Sequence, residues 1–268
     1  MKVAIMGAGT MGRAIIDGLR KSEPGITIMA YDTSSAACVA LAPEVAVVPP
    51  ESWFLVEPLP DAVIFAVKPS DIASACRQVN DALPPQKGAS VLMISIAAGI
   101  SLEKLRTLFP AAQPICRVMP NTPAKIGEGM SGCACNENCA EADCELVRRI
   151  FSACGRALFV PEKLLHAVTG LSGSGPAYVF LFIEALIEAG VTAGLPLAVA
   201  RECAVQTVIG AAKMVAQSDE HTASLKAKVM SPGGTTAAGL LMLEKHAFKH
   251  SVMEAVAAAT ARSVQLGA

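Results

Sequence analysis

Aromatic side chains are scarce in this 268-residue sequence: Phe, Trp and Tyr together make up 4%. Charged residues are few as well, at 17%, against 53% hydrophobic residues. That balance excludes a disordered chain, which pairs low hydrophobicity with high charge. Neither sign of charge is in excess, since 22 Lys and Arg face 23 Asp and Glu for a net −1. The basic surplus of a nucleic-acid-binding protein is missing. So is any unbroken apolar span: the uncharged stretch 164–183 contains Gly170, Gly173, Gly175 and Pro176, a poor membrane helix. No signal-peptide pattern follows Lys2, because Gly7, Gly9, Gly12, Arg13 and Asp17 interrupt the apolar run, and a cytoplasmic location is expected.

The apolar mass is therefore Ala, Val, Ile, Leu and Met, a composition suited to packed helices. At roughly 150 residues per domain, the length suggests about two domains. Nine cysteines are expected as free thiols, several of them small core residues. Cys133, Cys135, Cys139 and Cys144 form a cluster, but zinc sites pair their ligands as C-x2–4-C. Here Cys133 and Cys135 fall on one face of a strand, with Cys139 and Cys144 in a following helix. No metal is expected.

The first part of the chain alternates strand-like runs (2–6, 26–31, 62–67, 90–94, 115–119) with helix-like ones (11–21, 34–42, 71–83, 102–108). This order predicts a parallel sheet with helices on both faces. Two further strands, 131–136 and 156–160, flank a helix over 140–152 and complete the sheet. After Pro161 the strand pattern stops. Helices are expected over 173–193, 196–217, 224–230, 236–246 and 248–265. The reading is a domain over 1–161 and an all-helical domain over 162–268. Residues 196–217 carry only Arg201, Glu202 and Lys213 as full charges, and a helix with so little polar face is buried on most sides. The helical part is expected to pack against a second subunit, with packing against the first domain as the alternative.

The strand at Val3–Met6 runs into Gly7-Ala8-Gly9-Thr10-Met11-Gly12 and then into a helix. This is G-x-G-x-x-G between strand and helix. The first glycine permits the tight turn, the second lets backbone approach a pyrophosphate, and the third lets the helix pack on the strand. The helix start supplies free N–H groups and positive potential. Asp32 stands 20 residues past Gly12, where an acid binds the adenosine ribose and favours NAD. Ser34 and Ser35 offer hydroxyls to a 2′-phosphate instead, and NAD against NADP stays open. Ligands of open α/β sheets bind at the carboxyl ends of strands. There the chain places Ala66-Val67-Lys68-Pro69, Ser95-Ile96-Ala97-Ala98-Gly99 and Arg117-Val118-Met119-Pro120-Asn121. The small residues around Ala97 and Ala98 would let a flat ring lie close to backbone.

Two glycine-rich helix openings follow in the second part. One is Gly170-Leu171-Ser172-Gly173-Ser174-Gly175-Pro176-Ala177-Tyr178, and the other is Ser231-Pro232-Gly233-Gly234-Thr235-Thr236. Free helix-start amides with Ser and Thr hydroxyls make a carboxylate site. Simple capping is the bland reading of both.

With these motifs in this order, the chain resembles the pyrroline-5-carboxylate reductase family from end to end. The stretch 231–240 is diagnostic, and 170–178, 66–69, 117–121 and 7–12 match in position. The resemblance implies a Rossmann-like domain followed by an all-α dimerisation domain. It implies intertwined homodimers joined through the C-terminal helices, which in some members assemble further. It implies reduction of 1-pyrroline-5-carboxylate to proline with NADPH, or with NADH as the alternative. Residues Met6, Gly7, Ala8, Gly9, Thr10 and Met11 would hold the pyrophosphate. Ala66, Val67, Lys68 and Pro69 would lie along the cofactor, and Ser95, Ala97 and Ala98 would line the nicotinamide. Asp32 and Ser34 face the adenosine end. Ser172, Ser231, Gly233, Gly234, Thr235 and Thr236 would hold the substrate, with Thr236 as the catalytic hydrogen-bond partner, reached from the partner subunit. The chain departs from relatives in two places: it has no Asn in Pro50-Glu51-Ser52-Trp53-Phe54, and no Asn-Arg at Tyr31-Asp32-Thr33-Ser34.

A cyclic imine needs hydride at carbon and can take its proton from solvent, so no strong protein acid is demanded. His166, His221, His246 and His250 are read as ordinary helix residues. A β-hydroxyacid dehydrogenase would place Lys and Asn where this chain has Val179 and Ile183, neither capable of acid–base work. A dinucleotide-sensing protein without catalysis would need the first loop but not the one at 231–236.

Overall fold

The computed structural model describes residues 1–55, 57–84 and 90–267, which form two compact units. The first unit comprises Met1–Gly173 together with the chain from Ala259 onward, and the second is Ser174–Ala258.

The first unit is built on strands β1 (Lys2–Met6), β2 (Thr27–Tyr31), β3 (Ala46–Val47), β4 (Ala62–Phe65), β5 (Leu92–Ser95), β6 (Ile115–Met119), β7 (Gly129–Cys135) and β8 (Gly155–Phe159). They form one sheet in the order β3-β2-β1-β4-β5-β6-β7-β8. All neighbours are parallel except β6 and β7. The exception has a local cause. Only the turn from Pro120 to Glu128 joins β6 to β7, and a parallel crossover needs about a dozen residues or more. The helices are α1 (Thr10–Ser22), α2 (Ser35–Leu41), α3 (Ile72–Ala82), α4 (Leu102–Arg106), α5 (Glu141–Ser152) and the short α6 (Leu165–Val168).

Both faces of the sheet are covered, as a mainly parallel sheet requires. Val3 and Ile5 of β1 point to the face where Ile15, Ile16 and Leu19 of α1 meet Val147 and Ile150 of α5. Ala4 and Met6 point to the other face, with Ile72, Cys76 and Val79 of α3 and with Leu105 and Phe109. Alternate residues of one strand thus feed two cores, which explains why the strands read as continuous apolar runs.

Two expectations need correction. Strand β3 has no counterpart in the predicted pattern, because two residues are too few to show an alternation. Cys139 lies ahead of α5, not within it, with its thiol donating to the Ile115 carbonyl at 3.4 Å. Apart from these, the compact units divide the chain by packing: residues 162–173 and the last turns of the C-terminal helix group with the sheet unit. Leu165 is fully buried in the core beside Ala134. Glu162 Oε1 accepts from the Leu102 N–H at 2.7 Å and pairs with the buried Arg117 at 2.9 Å. At the far end of the chain, Ser263 is buried and its hydroxyl meets His166 Nδ1 at 3.0 Å.

The second unit is helical: α7 (Gly175–Thr192), α8 (Leu197–Ala216), α9 (Thr222–Lys228), α10 (Thr235–Lys245) and the first part of α11 (Phe248–Gly267). Helices α7 and α8 pack closely where a Cβ on Gly190 would stand 3.0 Å from that of Ala200. Few side chains of this unit are buried. Phe180, Leu181, Leu197, Leu241 and Met253 are each more than 60% exposed in the single chain. The helical run Glu162–Thr192 is long and apolar enough, by length and composition, to cross a membrane. Gly170, Gly173, Gly175 and Pro176, expected to make this stretch a poor membrane helix, lie within the run. A π turn over Thr169–Gly173 carries the chain through them.

Candidate active site

The strand order reverses at β1, which lies between β2 and β4. Such a switch point opens a crevice at the carboxyl ends of the strands. The glycine loop sits there, and its geometry explains each glycine. Gly7 has φ +104°, and a Cβ on it would stand 2.6 Å from the Ala66 carbonyl oxygen. A Cβ on Gly12 would stand 2.1 Å from the Gly7 carbonyl oxygen, so α1 closes directly onto the turn. A Cβ on Gly9 would meet nothing within 4 Å. Its side of the loop is open. Gly9 caps α1 with no side chain, and the first helical N–H groups have no partner within the helix.

A cleft of ≈ 490 Å³ begins at this loop. The predicted residues Met6, Gly7, Gly9, Asp32, Ala66, Val67 and Lys68 line it together. Asp71, Ser74, Ala75 and Gln78 complete one wall and were not foreseen. Their spacing is a signal: 71, 74, 75 and 78 fall on one face of a helix.

Asp32 is held at both oxygens. Oδ2 accepts from the Ala8 N–H at 2.7 Å, and Oδ1 from the Ser34 N–H at 2.8 Å. The carboxylate therefore joins the second strand's end to the glycine loop and faces the cleft as a fixed negative charge. Ser34 caps α2, its hydroxyl accepting from the Ala37 N–H at 3.4 Å. Thr10 and Met11 open α1, and Pro69 opens the 3-10 turn Pro69–Asp71 that leads into α3.

The loop after β5 begins at the buried Ser95, whose Oγ accepts from the Ala97 N–H at 3.3 Å. Ala97 is buried and Ala98 exposed. Gly99 turns the chain at φ +75° against the last turn of α11, where a Cβ would stand 3.0 Å from the Leu266 carbonyl oxygen. Next along the sheet, β6 ends at Met119 beside the π turn. A Cβ on Gly173 would stand 2.8 Å from Met119 Cε. Ser172 lies in that turn, and the Asn121 side-chain amide donates to its carbonyl at 3.0 Å and to its Oγ at 3.2 Å. Asn121 ends the motif at 117–121, but its tie to Ser172 has no sequence signal, since the two are 51 residues apart.

The loop Ser231–Thr236 belongs to the second unit. The Gly234 N–H donates to the Ser231 carbonyl at 3.0 Å, and Gly233 turns at φ +68°. Gly234 caps α10 without a side-chain bond. A Cβ there would stand 2.2 Å from Ser231 Oγ and 3.1 Å from the Ser231 carbonyl oxygen, so the serine side chain would have to turn aside. The N–H groups at the α10 start are thus bare, with the Thr236 hydroxyl among them half-buried and Thr235 exposed.

Three buried thiols of the sheet unit are poorly suited to thiolate chemistry. Burial pushes Cys133 and Cys76 up to about 12 and Cys154 to about 11, so all three stay protonated at neutral pH. Among the described residues, no group of His, Cys, Asp and Glu is arranged to hold a metal ion.

Comparison with known proteins covers both units. The family model described as pyrroline-5-carboxylate reductase dimerisation matches residues 162–266. The model described as NADP oxidoreductase coenzyme F420-dependent matches residues 2–99. A pyrroline-5-carboxylate reductase of Escherichia coli is 37% identical over 99% of this chain and 98% of its own length. One from Synechocystis is 51% identical over 66% of each. The solved pyrroline carboxylate reductase of Plasmodium falciparum, with NADP bound, is 35% identical. It superposes with a TM-score of 0.85 over 100% of this chain and 98% of that one.

Proposed function

The chain belongs to the pyrroline-5-carboxylate reductase family, and we infer from this that it reduces 1-pyrroline-5-carboxylate to L-proline, drawing on NAD(P)H. The observation that carries the reading is the open side of the glycine loop. Gly9 has free space, while Gly7 and Gly12 are shut against backbone, so the loop leaves a phosphate-sized approach to bare helix amides. The residues fit a dinucleotide. The dihydronicotinamide supplies the hydride when bound.

The chain's own residues bind and orient. The α1 amides and the loop Met6–Met11 face the pyrophosphate, with Ala66–Pro69 alongside. Asp32 accepts from the ribose hydroxyls. The Ser95–Ala98 loop offers backbone and small side chains to the nicotinamide ring. Ser172, and the α10 amides with Thr236, hold the substrate carboxylate and keep the flat imine against that ring. No acid is assigned, because a protonated imine can draw its proton from water. The α10 loop would come from the partner subunit of a homodimer formed through the C-terminal helices, in the cytoplasm, with neither membrane nor nucleic acid as partner. The exposed apolar helices and the matched dimerisation region support that reading.

The test is consumption of NADPH and NADH with 1-pyrroline-5-carboxylate, with proline identified as product. Cofactor binding without turnover of the imine would replace this reading by a sensor of dinucleotides. Thr236→Ala should lower kcat/KM by roughly 10–100-fold, the worth of one hydrogen bond to a charged group. Turnover near wild type would remove Thr236 from the site. The same assay ranks the cofactors. Asp32→Asn removes a charge that repels a 2′-phosphate and weakens a ribose acceptor. The ratio of kcat/KM for NADPH over NADH should rise by about tenfold in that variant, as loss of one charge–charge contact near the surface entails. An unchanged ratio would mean that Asp32 only braces the loop.

A further inference from the structure

The side chain of Asn121 joins three pieces of chain. Its Oδ1 accepts from the Met130 N–H at 2.8 Å, and its Nδ2 donates to the carbonyl and hydroxyl oxygens of Ser172 at 3.0 and 3.2 Å. Chemistry sets the orientation of the amide. A backbone N–H only donates, so Oδ1 faces Met130 and Nδ2 faces Ser172.

Both supports of this amide are stiff. Met130 follows Gly129 at the start of β7, where a Cβ on the neighbouring Gly155 would stand 2.1 Å from the Gly129 carbonyl oxygen. Asn121 follows Pro120, and its carbonyl accepts from the Ala124 N–H at 3.1 Å. What they steady is less regular. Ser172 rides on the π turn, a geometry whose local misfit with the α ladder often marks functional sites.

A hydroxyl oxygen that accepts from an amide keeps its own proton to donate elsewhere. The Ser172 carbonyl is engaged by the same amide, so the turn and the hydroxyl are oriented together. They stand where β6 ends, at the edge of the sheet that also carries the loop after β5.

We propose that Asn121 is a positioning residue for the imine reduction, holding the Ser172 hydroxyl as a hydrogen-bond donor to the substrate carboxylate. This rests on the reading of Ser172 as substrate-binding given above. A purely structural tie between β6, β7 and the π turn makes a different forecast. Weakening it would lower stability and cofactor affinity together.

Asn121→Asp separates the two. The acid keeps an acceptor for the Met130 N–H, loses the donor to the Ser172 carbonyl, and turns a second acceptor towards the Ser172 hydroxyl, which then rotates back to donate to it. KM for 1-pyrroline-5-carboxylate should rise roughly tenfold or more, as loss of a hydrogen bond to a charged group entails. The dissociation constant of NADPH, read by its fluorescence, should stay within about twofold, since independent sites do not couple. Ser172→Ala leaves Asn121 and its bond to the carbonyl in place and carries the same expectation, which keeps the test alive should the Asp variant fold poorly. The double variant should raise KM no further than the larger single effect, because Asn121 acts through Ser172. An unchanged KM in either single variant, additive effects, or an equal loss of NADPH affinity would overturn the proposal while wild-type turnover stands. A wild type that does not turn over the imine would instead overturn the reading of the site, and this proposal with it.

Discussion

Gly9→Ala should leave folding intact and weaken both NADPH and NADH binding by more than about tenfold, a loss above roughly 1.4 kcal/mol. Gly12→Ala should do the reverse, lowering stability before it affects binding. The two glycines look equivalent in the motif, and only their surroundings tell them apart. A methyl group on Gly9 meets no protein atom within 4 Å, so the folded chain has nothing to resist it. It would fill the room through which a pyrophosphate reaches the first N–H groups of α1. A methyl group on Gly12 would lie 2.1 Å from the Gly7 carbonyl oxygen. That is backbone, not a flexible tip, and relief requires α1 to lift from β1, where Ile15, Ile16 and Leu19 are fully buried. Forced overpacking of this kind costs about 1–3 kcal/mol or more. The check is a thermal melt beside a fluorescence titration for each variant. A Gly9→Ala protein that binds NADPH as the wild type does would place the pyrophosphate elsewhere. A Gly12→Ala protein with an unshifted melt would mean the loop relaxes more cheaply than its contacts indicate.

The same contrast shows how much of the molecule could be read from its sequence. The glycine loop was legible because its requirement is local: strand, turn and helix lie within a few residues, and each glycine answers a collision or an approach nearby. The parallel sheet was legible because β1, β4 and β5 are apolar on both faces. Asp32 was legible by its spacing, although its double acceptance from the Ala8 and Ser34 N–H groups was not. What escaped was contact between segments distant in sequence. Nothing local in Leu165 or Ser263 says that residues 162–173 and the end of α11 rest on the sheet unit. The end of the strand pattern at Pro161 carries no sign that the compact sheet unit extends to Gly173. Asn121 gave no sign of Ser172, because a single amide bridging 51 residues leaves no period and no motif. The wall formed by Asp71, Ser74 and Gln78 does leave a sequence signal, because these residues share one face at the start of α3.

Leu241→Asp should abolish the proposed dimer, and with it turnover. In the single chain Leu241 is 68% exposed on α10, and an acidic residue on such a surface would alter stability by no more than about 0.5 kcal/mol. A dimer formed through these helices changes the arithmetic. Each large apolar side chain it covers contributes about 1.5–3 kcal/mol, and Phe180, Leu181, Leu197 and Met253 are similarly bare. A carboxylate buried among them without a partner costs several kcal/mol, and twofold symmetry repeats the cost in the partner. The wild-type mass in solution should be at least twice 27.6 kDa, and that of Leu241→Asp should fall towards the single-chain value at micromolar concentration. Turnover should fall with the mass, because α10 also carries the Thr236 loop, and that loop is proposed to serve the partner's substrate. A variant that stays dimeric and active would place Leu241 outside the interface. A wild type that is monomeric and partitions onto lipid vesicles would assign the same bare helices to a membrane. The two cases separate because a dimer's mass responds to protein concentration, whereas partition follows the amount of lipid.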